Sequence, residues 1–264
     1  METVSSNLAC LQRTLEYNVK NGMKFFRITS GLIPFASHEV CTFNWQDHFA
    51  GTFGRIGRFI TGNELRISMH PDQFVLINSP EERIFNNSSG ELSYHADVLD
   101  LLGLDRTAKI QIHAGGVYGD KAASMERFIT RYGKLPSKIR DRLVIENDER
   151  LYSLADCMQL HARTGAPVLF DAFHFSCNNS GERLRDAVRD AARTWSGPDG
   201  IPMVDYSSQQ KGKRPGTHAQ SIDIRSFRKF LKETEGLDLD IMLEIKDKER
   251  SALRALKAIA ERGR

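Results

Sequence analysis

The chain lacks most of what would mark a secreted scaffold, a membrane protein or a nucleotide-binding fold. Its four cysteines, Cys10, Cys41, Cys157 and Cys177, are scattered over 264 residues with no CxxC spacing. That argues against a disulfide framework and against a thiolate zinc site, and makes a reducing cytoplasm the default location. No stretch approaches the roughly 18 apolar residues of a membrane span, and the polar N-terminus has no signal-peptide core, so no membrane partner is expected. Low-complexity segments and internal repeats are absent. No Gly-rich turn follows the first strand candidate, which removes the main sign of a dinucleotide-binding sheet and of a nucleotide cofactor. Charge of one sign is also scarce. A net charge of +3 permits a polyanionic partner without demanding one. The basic residues do cluster locally, in "KGKR" (211–214) and "RSFRK" (225–229).

What is present is a regular alternation of strand and helix. Leu8, Leu11, Leu15 and Val19 recur at helical spacing over 7–21, and Asn21-Gly22 stops the run. Strands are predicted at "FFRIT" (25–29), "LRISM" (65–69), "KIQIH" (109–113), "LVIEN" (143–147), "PVLFDAF" (167–173), "IPMVDY" (201–206) and "IMLEI" (241–245). Between them lie a long connection through "GLIPFASH", a Gly-punctuated helical stretch, and helices predicted over 91–102, 121–132, 151–164, 182–195, 222–235 and 248–262. In the helix over 182–195, Leu184, Val188, Ala191 and Trp195 form the inward face. Apolar strand cores interleaved with helices imply a parallel sheet covered by helices. The repeat length matches a (β/α) barrel in one domain spanning 1–264, with a doubly wound open sheet as the alternative. Seven strands preceded by a helix leave the barrel without its first strand, which would expose two sheet edges.

In such barrels chemistry collects where the strands end. Those ends carry His70, His113, Glu146, Asp171 with His174 just beyond, Asp205 and Glu244. The remaining strand, 25–29, is followed nine residues later by His38. Taken singly, each of these is as well explained as a cap or a packed polar residue. Jointly they are not, because three carboxylates sit inside apolar strand runs, and a buried carboxylate needs a cation or several hydrogen bonds. A set of imidazoles and carboxylates without thiolates fits Mn, Zn, Fe or Co better than Ca or Mg. Seven or eight such groups exceed what one ion needs, so a cluster of two or three divalent ions is expected, a device suited to phosphoryl chemistry.

Several segments resemble, in order along the chain, the motifs of the UV damage endonuclease family: "NLACLQRTLEYN", "FRITSGLIPFASH", "RISMHPDQFVLINSP", "IENDERL", "FDAFHF", "VDYSSQQKGKRPGTHAQSID" and "MLEIKDKE". Together they cover Asn7 to about Leu256. The resemblance implies a TIM barrel related to endonuclease IV, a manganese cluster (Zn, Co or Mg being the alternatives), and incision of double-stranded DNA immediately 5′ to ultraviolet photoproducts and other lesions. It implies that His70, His113 and Glu146 serve one ion. Glu146, Asp171, Asp205 and Glu244 would surround a second, and His174 and His218 a third. Glu146, Glu244 and His38 are the candidate catalytic groups. Gln73 and Phe74 would probe the duplex and fill the space left by an extruded dinucleotide, whose unstacking costs a few kcal/mol. Packing of Phe74 into the apolar run "FVLI" is the plainer alternative. Lys211, Lys213 and Arg214 would face phosphates. Two departures from the family stand out. The strand that the family carries ahead of its first helix is missing, and Met203 and Asp205 stand where some members have a modified lysine and a histidine. A monomer is expected. The rivals are a metal-dependent sugar isomerase or epimerase of the xylose-isomerase-like barrels, and an inactive, truncated DNA-binding relic.

Overall fold

A computed structural model describes residues 1–262. Its seven strands are β1 (Phe25–Ile28), β2 (Arg66–Met69), β3 (Lys109–His113), β4 (Leu143–Glu146), β5 (Val168–Asp171), β6 (Met203–Tyr206) and β7 (Asp240–Leu243). They form one parallel sheet in sequential order. Helix α1 (Glu2–Lys20) precedes β1. The connections carry α2 (Trp45–Gly62), α3 (Glu82–Leu101), α4 (Lys121–Tyr132), α5 (Ser137–Arg140), α6 (Leu154–Thr164), α7 (Ala172–Cys177), α8 (Leu184–Ala192) and α9 (Ile224–Glu233), and α10 (Glu249–Arg262) follows β7. This is a seven-stranded TIM-type barrel that stops short of closure, in keeping with the strand count read from the sequence.

Sequential parallel pairing follows from the connections. Each strand leads into a helix that packs back on the sheet and returns the chain beside its own start. The strands at the centre of the order show no alternation because both faces are covered: β4, β5 and β6 are buried at all four positions. The edge strand β7 is only half-buried along its length. Between β7 and β1 no ladder forms, and an opening of about 660 Å³ lies there, walled by Tyr17, Phe25, Phe26, Ile241, Leu243 and Leu256.

Helices seal the outside through the stripes that their spacing dictates. In α1 the buried residues are Val4, Leu8, Leu11, Leu15 and Asn18, while Val19 is half-buried. The helix starts five residues ahead of the predicted position, where a lone Val4 among Glu2, Thr3, Ser5 and Ser6 gave no apolar period. Helix α3 likewise begins nine residues early, with Phe85 and Ser88 already on its buried face. A glycine fixes the α2–α3 approach. A Cβ on Gly57 would fall 1.7 Å from the carbonyl oxygen of Leu102, so only glycine allows this contact.

One boundary differs in a way that matters to the site. The strand predicted through 173 ends at Asp171, and Ala172 opens α7. The run "AFHF" is apolar enough to read as strand. The Asp171 side chain nevertheless accepts the backbone N–H of His174 at 2.7 Å and caps a short helix, which turns His174 back over the strand end.

Candidate metal centre

Parallel strands in register bring their C-terminal ends to one rim. His113 pairs with Glu146 across β3 and β4, and Asp171 pairs with Asp205 across β5 and β6. His70 and Glu244 follow directly on β2 and β7. Six of the predicted residues therefore stand on one rim, and α7 adds His174.

Glu146 is the hub. Its Oε2 lies 3.3 Å from His70 Nε2 and 3.7 Å from His113 Nε2, and its Oε1 lies 3.3 Å from His174 Nδ1. Three groups have donor atoms within 4.8 Å of one another: His70, His113 and Glu146; Glu146, Asp171 and His174; and Asp171, Asp205 and Glu244. They share members, so they form one continuous ligand field. His218 is outside these groups. It lies edge-on to His174 with ring centroids 5.9 Å apart, and its Nδ1 is 3.8 Å from Glu244 Oε2.

Three of the imidazoles are oriented by backbone. His70 Nδ1 is 2.8 Å from the Pro71 carbonyl, His174 Nδ1 is 3.0 Å from that of Asn147, and His218 Nδ1 is 2.9 Å from that of Glu244. A carbonyl accepts only from N–H, which places a proton on Nδ1; at His70 this leaves Nε2 as the nitrogen that faces Glu146, whereas at His174 the nitrogen nearest Glu146 and Asp171 is Nδ1 itself. Asn147 further ties the rim together. Its side chain donates to the Asp171 carbonyl at 3.0 Å and accepts the Asp171 N–H at 2.9 Å.

The field is short of positive charge. Glu146, Asp171 and Asp205 are fully buried, yet Glu146 Oε1, Asp171 Oδ2 and His113 Nδ1 have no hydrogen-bond partner. Burial works against ionised Glu146, but His113, His174 and His70 outweigh it and hold the carboxyl well below its usual range. Burial pushes Asp171 well above its usual range despite His174, with Glu146, Asp205 and Glu244 adding to the rise. Burial likewise lifts Asp205 to about 7 against the pull of Arg27. His174 loses solvation, but contact with Glu146 and Asp171 raises it to about 10. Protons are held where cations are missing. Orphaned, buried oxygen and imidazole donors are the set that fits divalent transition-metal ions.

Two polar residues in the barrel belong to this network and were not among the candidate site residues read from the sequence, although Arg27 lies in the run "FRITSGLIPFASH". Gln111 on β3 donates to Glu146 Oε2 and to Asp205 Oδ2, both at 2.8 Å. Arg27 on β1 donates to Asp205 and Glu244. The signal that could have found them is the one that exposed the carboxylates, a polar residue inside an apolar strand run.

Around the rim, Gln73 and Phe74 form the tip of a turn closed by the Val75 N–H on the Asp72 carbonyl at 3.0 Å. Phe74 is 76% exposed while Val75 and Ile77 are buried, so the turn directs Phe74 away from the core that "FVLI" suggests. The 290 Å³ cavity beneath is lined by His70, Pro71, Gln73, His113, Glu149 and Arg150. His38 is exposed and stands apart from the ligand field, on the wall of a 420 Å³ cavity shared with Phe35, Asp72 and Phe74. Lys211, Lys213 and Arg214 are exposed on the loop that leads from β6 to His218.

Comparison with known proteins adds an independent finding. The family model for UV-endonuclease UvdE matches residues 1–263. A UV DNA damage endonuclease of Clostridium perfringens is 40% identical over 263 residues, which cover 99% of this chain and 64% of that protein. The chain thus spans about two thirds of the length of that relative. A crystal structure of SacUVDE superimposes with a TM-score of 0.95 at 48% identity, covering 99% of this chain and 88% of the other. Endonuclease IV from Thermus thermophilus matches with a TM-score of 0.62 at 17% identity over 95% of this chain and 94% of its own, a likeness of fold alone.

Proposed function

Because the chain belongs to the UV-endonuclease UvdE family, we propose that it is a metal-dependent DNA repair endonuclease that cuts the phosphodiester 5′ to ultraviolet photoproducts and other lesions. The observation that carries the metal dependence is the convergence of His70, His113, Glu146, Asp171 and His174 at the barrel mouth, where the buried Glu146 Oε1 and Asp171 Oδ2 have no hydrogen-bond partner. His70, His113, Glu146, Asp171 and His174 would hold divalent ions, manganese first. When bound, such ions polarise a phosphate and supply an acidic water.

The remaining steps rest on side chains of the chain itself. The Pro71 carbonyl holds the His70 ring with its Nε2 toward Glu146, and the Asn147 carbonyl holds the His174 ring against Glu146 and Asp171, so both rings are oriented before any ion arrives. The exposed Gln73–Phe74 turn stands beside the field and is shaped to enter a duplex, where Phe74 would stack in place of displaced bases. Lys211, Lys213 and Arg214 would meet backbone phosphates. An exposed aromatic tip and a basic loop suit an extended polyanion and have no task in a sugar isomerase. Incubation with Mn and ultraviolet-irradiated supercoiled plasmid is expected to give nicks that depend on both the dose and the metal. Equal nicking of irradiated and untreated plasmid, or none with either, would count against the proposal.

A further inference from the structure

One cation is already present in the centre. Arg27 is the third residue of β1, and its side chain is 17% exposed. Its Nη2 donates to Asp205 Oδ1 and Oδ2 at 2.7 and 2.8 Å and to Gln111 Oε1 at 2.6 Å. Its Nη1 donates to Glu244 Oε1. Gln111 Nε2 then donates to the second oxygen of Asp205 and to Glu146, so both Asp205 oxygens are engaged. Of the three ligand groups, the one made by Asp171, Asp205 and Glu244 therefore encloses a guanidinium between two of its three members. The other two groups touch no arginine or lysine among the described residues.

We infer that Arg27 is the resident cation of the third position, so that the centre takes two divalent ions and Asp205 acts as the counter-ion of Arg27 instead of as a metal ligand. The inference rests on the metal reading above and sharpens it. A guanidinium is charged at every working pH and cannot dissociate, so this position is filled permanently. It also gives Asp205, which stands where some members of the family resembled have a histidine, a charged partner that a neutral imidazole could not balance. Asp205 and Arg27 complete each other without a third ion.

The test is a count. The protein is stripped with a chelator, reloaded with excess MnCl2, desalted, and its manganese is measured per chain by mass spectrometry. The wild type is expected to hold two ions, Asp205→Asn also two, Arg27→Lys two, and Arg27→Met three, because the vacated carboxylates then accept an ion. Three ions in the wild type, loss of one ion in Asp205→Asn, or an unchanged count of two in Arg27→Met would overturn the assignment. No ion in the wild type would instead overturn the metal reading beneath it. Should the Arg27 variants fail to fold, the wild-type and Asp205→Asn counts decide the matter alone.

Discussion

The Nε2 of His70 lies 3.3 Å from Oε2 of Glu146, while the Nδ1 of the same ring is 2.8 Å from the Pro71 carbonyl. One nitrogen is committed to orientation and the other is aimed at the shared carboxylate. Glu146→Gln keeps the shape but removes the charge that two ligand groups share. It is expected to lose at least one ion per chain and to lower nicking by roughly 100-fold or more, the upper end of what disturbing even an outer ligand contact costs. Metal analysis of the purified variant checks the first outcome and plasmid nicking the second. A variant with a full complement of ions would show that Glu146 is not the hub.

Proton competition gives the centre a pH dependence whose sign is fixed. Burial disfavours the charged form of both His174 and His70, but Glu146 and Asp171 outweigh it at His174 and raise that ring to about 10, and Glu146 outweighs it at His70 and raises that ring too. The metal-free protein therefore holds a proton on His174 through neutrality, and His70 keeps its proton to higher pH than an ordinary imidazole. An ion must displace these protons, so affinity for Mn is expected to weaken steadily as pH is lowered from 8 to 6, with proton release on binding. Calorimetric titration in two buffers of different ionisation enthalpy measures both. Equal affinity at pH 6 and pH 8 would contradict it.

Phe74 is exposed at the tip of its turn, whereas Val75 is buried. Phe74→Ala is therefore expected to leave thermal stability within about 0.5 kcal/mol of wild type. If the ring stacks on bases, the same change should weaken binding to a lesion-bearing duplex by about 1–3 kcal/mol, or roughly 5- to 150-fold. A clear drop in melting temperature with lesion affinity intact would mark Phe74 as a packing residue after all.

Much of this arrangement was legible in the sequence, and the limits have physical reasons. Glu146, Asp171 and Glu244 could be found because a carboxylate in an apolar strand run violates the burial rule, and β order follows once every strand is followed by a helix. Arg27 and Gln111 break the same rule in "FFRIT" and "KIQIH", but a polar residue in mid-strand does not declare which face it takes or what meets it. Only the register that places Arg27 beside Ser68, and the curvature that brings β1 toward β7, shows it reaching Asp205 and Glu244. The exposure of Phe74 was hidden for a similar reason. The Asp72 to Val75 turn overrides the apolar run around it. His38 was singled out by its place after the first strand and His218 as a third-ion ligand by resemblance, and neither joins the three ligand groups.

At the opposite, N-terminal end of the strands a second buried ion pair carries stability instead of chemistry. Lys109 opens β3 and is fully buried. Its Nζ donates to Asp199 Oδ1 at 2.6 Å and to the Asp141 carbonyl at 3.0 Å. Burial works against ionised Asp199, but Lys109 and Ser196 outweigh it and hold the carboxyl down at about 2. The folded state thus binds this proton more weakly than the unfolded chain, whose carboxyl titrates near pH ~3.9. The stabilisation is complete above about pH 4 and is lost as pH falls through about 2. Asp199→Asn would leave the Lys109 ammonium buried without its counter-ion, at a cost of about 3–5 kcal/mol at pH 7. Adding Lys109→Met should recover most of that loss, because the remaining pair carries no charge to desolvate. Urea titration of the single and double variants separates the two effects. A single variant as stable as wild type would mean that the Asp141 carbonyl and water suffice for Lys109, and that the pair is not what closes this end of the barrel.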